Sequence, residues 1–161
     1  MILKWVNRID DVIATIALIG ILIITIVNVF CRFILNQPFA WAEEVSIGLF
    51  VWLVFIGISS AMKRGGHIGV DYFVEKMPRT LKIVAIIIRA VSIYFVLIYM
   101  FIFLGYDLMI QASSKLTPVL GISYQWIDLA VPLGGLLTAY HFTRQLLKKK
   151  QQEESSPRES V

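Results

Sequence analysis

Residues 45–62 read VSIGLFVWLVFIGISSAM, a run without one charged side chain. As an α-helix at 1.5 Å per residue it is about 27 Å long, close to the ~30 Å hydrocarbon thickness of a bilayer. In lipid every backbone amide and carbonyl needs a partner within its own segment, so a run of this kind folds as a helix. Three further stretches share its character, giving expected spans at about 12–34, 41–62, 81–110 and 124–147. The composition agrees: 16% of the 161 residues are charged, against roughly 25% in soluble domains. The predicted fold is an all-α integral membrane protein with four transmembrane helices in one domain, residues 1–147. Residues 148–161, charged, serine-bearing and aperiodic, are expected to be a disordered tail.

Two short amphipathic stretches accompany the spans. Over residues 2–11, Ile2, Trp5, Val6 and Ile9 fall opposite Lys4, Asn7, Arg8 and Asp11, as in a helix lying in the headgroup region with Trp5 as its anchor. Over residues 67–77, Phe73 and Val74 lie on an apolar face opposite Asp71 and Glu75, and Pro78 closes the segment. Lys4 and Arg8 have the look of a signal peptide, but Asp10 and Asp11 intervene and no small-x-small cleavage pattern follows. A retained first span is expected. Lysine and arginine gather before span 1, between spans 2 and 3, and after span 4, leaving Arg32 and Lys115 for the other side. By the positive-inside rule both termini are expected to be cytoplasmic. That reading also accounts for the net charge of +4, and no nucleic-acid partner is expected.

The candidate chemistry sits at the span ends. Arg32, at the far end of span 1, needs a partner or a route to the headgroups. The short turn through Pro38 returns Glu43 and Glu44 to the same border, so one of them is expected to pair with Arg32 as a lock on the hairpin. Between spans 2 and 3, Arg64 and the glycines that follow lead to His67 and Asp71, an i, i+4 pair that forms a cytoplasmic knot. Gly57 and Ala61, and separately Ala130, Gly134 and Thr138, make small-residue ridges for helix packing or for a second membrane protein. Pro132 is the only proline within a span. Trp41, Tyr124 and Trp126 suit one aromatic belt and Tyr140 the other.

The span centres are apolar, with Asp107 and Asp128 read as lying toward the outer ends of spans 3 and 4. No nucleotide loop, metal-ligand cluster or nucleophile with a base is evident, so neither enzymatic activity nor a cofactor is expected. Cys31 is the only cysteine, which excludes an internal disulfide. Two other classes make distinct demands. A free-standing dimeric four-helix exporter needs an acidic residue deep in span 1; the membrane anchor of a respiratory complex needs facing intramembrane histidines for haem. Neither pattern is present.

Arg32-Phe33, then Trp41-Ala42-Glu43-Glu44, then the span ending in Gly57, Ala61 and Arg64, then GGHIGVD over 65–71, together resemble the small membrane subunit of tripartite ATP-independent periplasmic (TRAP) transporters. TPVLGISYQWIDLAVPLGG, residues 117–135, resembles the signature of that family's last span, with Trp126, Pro132 and Gly134 at matching places. The resemblance implies a non-catalytic scaffold in a bacterial inner membrane. Its implied partners are a large sodium-coupled membrane subunit at one-to-one, a periplasmic binding protein delivering an organic acid, and membrane phospholipid. Arg32, Trp41, Glu43, Glu44, His67 and Asp71 fall on recurrent positions of the family. Gln37, Trp41, Lys115 and Trp126, on the outer segments, then become candidates for docking the binding protein.

Overall fold

The computed structural model describes residues 2–64 and 78–155, with side chains described for 8–64, 78 and 80–147. The described residues are helical nearly throughout: α1 (Ile2–Ile34), α2 (Ala40–Lys63), α3 (Arg79–Phe95), a π-helical segment (Val96–Leu104), α4 (Gly105–Gln111), a 3₁₀ turn (Ala112–Ser114), α5 (Gln125–Asp128) and α6 (Ala130–Ser155). Among the described residues three stretches are long and apolar enough to cross a membrane: Arg8–Ile34, Ala40–Lys63 and Thr80–Ser114. The last, hereafter the third span, runs unbroken through α3, the π segment, α4 and the 3₁₀ turn. α6 falls short by composition, because Gly134, Gly135, Thr138 and His141 dilute its apolar half and lysine, glutamine and glutamate fill the rest.

The α1–α2 hairpin turns where the sequence calls for it. Asn36 takes φ 54°, the left-handed conformation that asparagine tolerates, and the Gln37 amide turns back to donate to the Cys31 carbonyl at 3.1 Å. Asn28 Oδ1 then accepts the Phe39 amide at 2.8 Å, tying the end of α1 to the start of α2. At the opposite end of α1 no break separates the amphipathic stretch 2–11 from the span. The expected interfacial helix is instead the first turns of α1, since no glycine or proline between Ile9 and Ala14 stops the helix. The second expected interfacial helix, 67–77, with His67, Asp71, Phe73 and Val74, lies outside the described residues.

The helices form a row. α1 packs on α2, α2 on α6, and α6 on the third span. Between α2 and α6 a Cβ on Gly134 would stand 2.5 Å from the Phe55 carbonyl oxygen, and one on Gly48 would touch Ile127 of the short α5 that leads into α6. These contacts run in parallel register. Between α6 and the third span the register is antiparallel: Gly105 faces Val131, Gly135 faces Phe101, and Tyr94 meets Phe142 edge-on at 5.3 Å. α6 is therefore the most enclosed helix, with Ala130, Thr138, His141 and Phe142 all buried.

Two departures from simple spans shape this row. Pro132 lacks the amide that would bond to residue 128, and the helix is interrupted at Leu129, between α5 and α6. In the π segment i→i+5 bonding widens the turn, so residues four apart stand nearly in line. α6 continues to Ser155, through lysines, glutamines and glutamates expected to be disordered; these straight-chain residues are good helix formers once a packed helix has nucleated them.

Candidate functional site

The polar chemistry collects at the two ends of the row. Where α1 begins and α2 ends, Asp10 is wholly buried. Its carboxylate accepts Lys63 Nζ at 3.0 Å and the Ser59 hydroxyl at 3.4 Å. His141 Nε2, from α6, stands 3.3 Å away but without hydrogen-bond geometry. Asp11 accepts the same lysine, the Ser60 hydroxyl and, at 3.1 Å, Arg64 Nη2. Two carboxylates thus meet two cations, as charges drawn out of water require. Lys63 also lies in the last turn of α2, at the negative end of the helix dipole. The Gln145 side-chain amide donates to the Met62 carbonyl, one of the terminal α2 carbonyls with no partner inside the helix. Three helices are joined here through polar groups.

At the other end residues 115–123 form a tight loop. Leu116 and Ser123 pair as an antiparallel bridge, the Thr117 amide donates to the Ile122 carbonyl at 2.8 Å, and Gly121 takes φ 65°. Glu44, in the opening turns of α2, holds the tip: its two carboxylate oxygens accept the Val119 amide at 2.7 Å and the Leu120 amide at 2.9 Å. Beneath it Trp52 Nε1 donates to the Trp126 carbonyl at 3.2 Å.

The expected rim pair is therefore not assembled. Arg32 is exposed and joined to neither glutamate; Glu44 is engaged by loop amides, and the Asn28–Phe39 hydrogen bond closes the hairpin. Arg64 does belong to a polar cluster, with Asp11. Gln37, Trp41, Lys115 and Trp126 come to one end of the molecule and are exposed, Trp41 stacked on Phe39 at 5.7 Å. Of the two ridges, Ala130, Gly134 and Thr138 are used within the row, whereas a Cβ on Gly57 would meet nothing within 4 Å and Ala61 is exposed. Trp5 lies in the first turns of α1.

The reading of residues alone passed over Asp10, Asp11, Ser59, Ser60, Lys63 and His141 as a unit. A signal was present: equal steps back from the turn at Asn36 bring Asp10 and Asp11 level with residues 60–63, and Ser59, Ser60 and Lys63 share a helical face.

Residues 21–151 match the family model described as "Tripartite ATP-independent periplasmic transporters, DctQ component". The chain belongs to this family. It is 28% identical over 148 residues to the sialic acid TRAP transporter small permease protein SiaQ of Vibrio cholerae, a match covering 92% of this chain and 83% of that one. It is likewise 28% identical over 142 residues to the ectoine TRAP transporter small permease protein TeaB of Halomonas elongata, covering 84% and 72%. A third match, at 28% over 141 residues, is to the sialic acid TRAP transporter permease protein SiaT of Haemophilus influenzae; it covers 87% of this chain but 23% of that protein, so the region there is part of a longer permease. With three candidate spans and these relatives, the chain is a multi-pass membrane protein and a TRAP small permease subunit. Asp10 and Asp11 lie ahead of the segment that the family model matches.

Proposed function

We propose that this chain is the non-catalytic scaffold subunit of a sodium-coupled TRAP importer, pairing one-to-one with a large permease that carries the solute and helping to dock a periplasmic substrate-binding protein. The observation that carries the reading is the distribution of chemistry: polar clusters and loops lie at the two ends, while the packing between them is apolar side chains on small residues. A helix row of this kind is suited to hold position beside a moving partner. Four helices cross the inner membrane with both termini in the cytoplasm, α6 being the fourth. The loop 115–123 and the turn at 36–41 then face the periplasm, where Gln37, Trp41, Lys115 and Trp126 meet the binding protein. Membrane phospholipid fills gaps against the large subunit. Relatives named for sialic acid, C4-dicarboxylate and ectoine support a small, charged organic solute, and an organic acid is favoured. The test is to tag the chain, express it from its own operon, extract it in mild detergent and determine what co-purifies. A multi-span permease at equal stoichiometry is expected; a homodimer free of other proteins would refute the reading.

A further inference from the structure

The two edges of the helix row differ in chemistry. On α1 the outward face between residues 16 and 30 is aliphatic and aromatic, including Ile16, Ile19, Ile23, Ile26 and Phe30, relieved by threonine, whose hydroxyl can bond to its own helix; the exposed Arg32 lies beyond it, at the end of the helix. The other edge is the third span. There Leu97, Phe101 and Gly105 turn toward α6, and the residues two positions away form a second ridge that turns outward: Phe95, Tyr99, Phe103, Asp107 and Gln111, all exposed. The three aromatic rings stack along it, Phe95 on Tyr99 at 5.4 Å and Tyr99 on Phe103 at 6.2 Å. Gln111 Nε2 donates to Asp107 Oδ2 at 2.8 Å.

The helix register fixes how deep these groups lie. Phe101 faces Gly135 and Gly105 faces Val131, while Gly134 faces Phe55 and Gly48 faces Ile127. Asp107 is consequently level with Phe50 of α2, about 9 Å inward from Glu44 at 1.5 Å per residue. Tyr99 is level with Ile58, about 8 Å inward from Lys63. Both lie beside the charge-free stretch of α2. An aspartate is too short to reach the headgroups from that depth, and an acyl chain offers it no donor and offers the Tyr99 hydroxyl no acceptor. Among the described residues Tyr99 makes ring contacts alone. Beside the ridge an open groove of about 330 Å³, lined by Met100, Leu104, Asp107, Leu108, Gln111 and Val131 among others, opens beside the carboxylate.

We propose that this outward ridge of the third span is the surface on which a membrane helix of the large permease packs, presenting a hydrogen-bond donor to Asp107 and an acceptor to Tyr99. The proposal rests on the scaffold reading above and adds which edge of the row is used. The α1 edge, lacking such groups at that depth, faces lipid.

The test uses the complex in its native membranes, with a photoreactive benzoylphenylalanine at Phe103 or, as comparison, at Ile26. Irradiation is expected to give an adduct containing peptides of the large permease from Phe103 and little from Ile26. Adducts to a second copy of this chain, to lipid only, or from Ile26 in preference to Phe103 would overturn the ridge while a co-purifying permease left the scaffold reading intact. If the unsubstituted chain brings down no permease, the scaffold reading falls and the ridge falls with it. A second variant, Asp107→Leu, should lower the permease recovered per copy of this chain by roughly three- to tenfold, the range of interhelical hydrogen bonds in membranes, with Asp107→Asn less affected. Equal recovery with Asp107→Leu would overturn the proposal, because a lipid-facing aspartate is one that leucine improves upon.

Discussion

Asp10 and Lys63 are the pair on which the α1–α2 contact depends electrostatically, and their burial makes the dependence unequal. Lys63 keeps Asp11 if Asp10 is lost, so Asp10→Leu should cost about 2 kcal/mol, below the 3–5 kcal/mol usual when a buried ion loses its sole partner. Lys63→Met leaves the wholly buried Asp10 facing only Ser59 and an imidazole, and should cost about 4 kcal/mol. Because the two changes remove the same contact, the double variant should cost less than their sum by at least about 1 kcal/mol. Denaturant titration of the four proteins in detergent measures the cycle; strict additivity would mean that the two groups stabilise the bundle independently. The sequence reading took Asp10 and Asp11 as evidence against a signal peptide and Lys63 as a topology marker. Each reading used one strand of the hairpin at a time. The pairing appears only when the two helices are laid against each other, and for the same reason one of Glu43 and Glu44 was expected to pair with Arg32 across the turn, whereas Glu44 holds loop amides 75 positions and more along the chain.

Glycine is where element packing is most exposed to test. A methyl group at Gly134 would collide with the Phe55 backbone, and backbone cannot rotate away, so Gly134→Ala should cost about 1–3 kcal/mol. Gly57→Ala meets open space and should be neutral or slightly stabilising in the isolated chain. Thermal unfolding of both in detergent separates them, and similar losses would mean that α2 and α6 do not approach at Gly134. The loop has its own test. Glu44→Ala removes the acceptor of two amides, so hydrogen exchange at Val119 and Leu120 should accelerate while the α2 interior stays protected; unchanged exchange would show the loop held by other contacts. At this scale the sequence was most legible where a segment's ends are marked locally. The bounds of α2 follow from Pro38 and from the charges at Glu44 and Lys63, and Pro132 announced an irregularity. The π segment had no such marker: VLIYMFIFL contains neither glycine nor proline, and its form is expressed in which residues face α6, Leu97 and Phe101, a tertiary relation that periodicity does not encode. The helical continuation to Ser155 was likewise hidden, since charge and serine content describe solubility better than backbone conformation.

For the molecule as a whole the decisive question is whether α6 crosses the membrane, since composition alone picks out three helices and packing implicates a fourth. α5 and α6 run parallel to α2 with matched steps: Ile127 of α5 lies against Gly48, Gly134 of α6 against Phe55, and Gln145 reaches Met62. On the proposed four-span reading such a helix occupies the same depth as its neighbour, and its glycines, Thr138 and His141 are tolerated there because they face protein. The Thr138 hydroxyl donates to the Gly134 carbonyl at 2.7 Å, and His141 is buried beside Asp10. Low hydropathy here follows from enclosure on both sides by α2 and the third span; a helix shielded from lipid has no need of a lipid-compatible surface. Four crossings return the C-terminus to the side of the N-terminus, three send it to the other. A cysteine at Lys115, in a variant whose Cys31 is replaced by alanine, should be labelled by a membrane-impermeant maleimide in intact cells, whereas one at Leu147 should react only after the membrane is permeabilised. Labelling of both from outside would place α6 on the same face as the loop, and would require the α2–α6 register to break in the membrane.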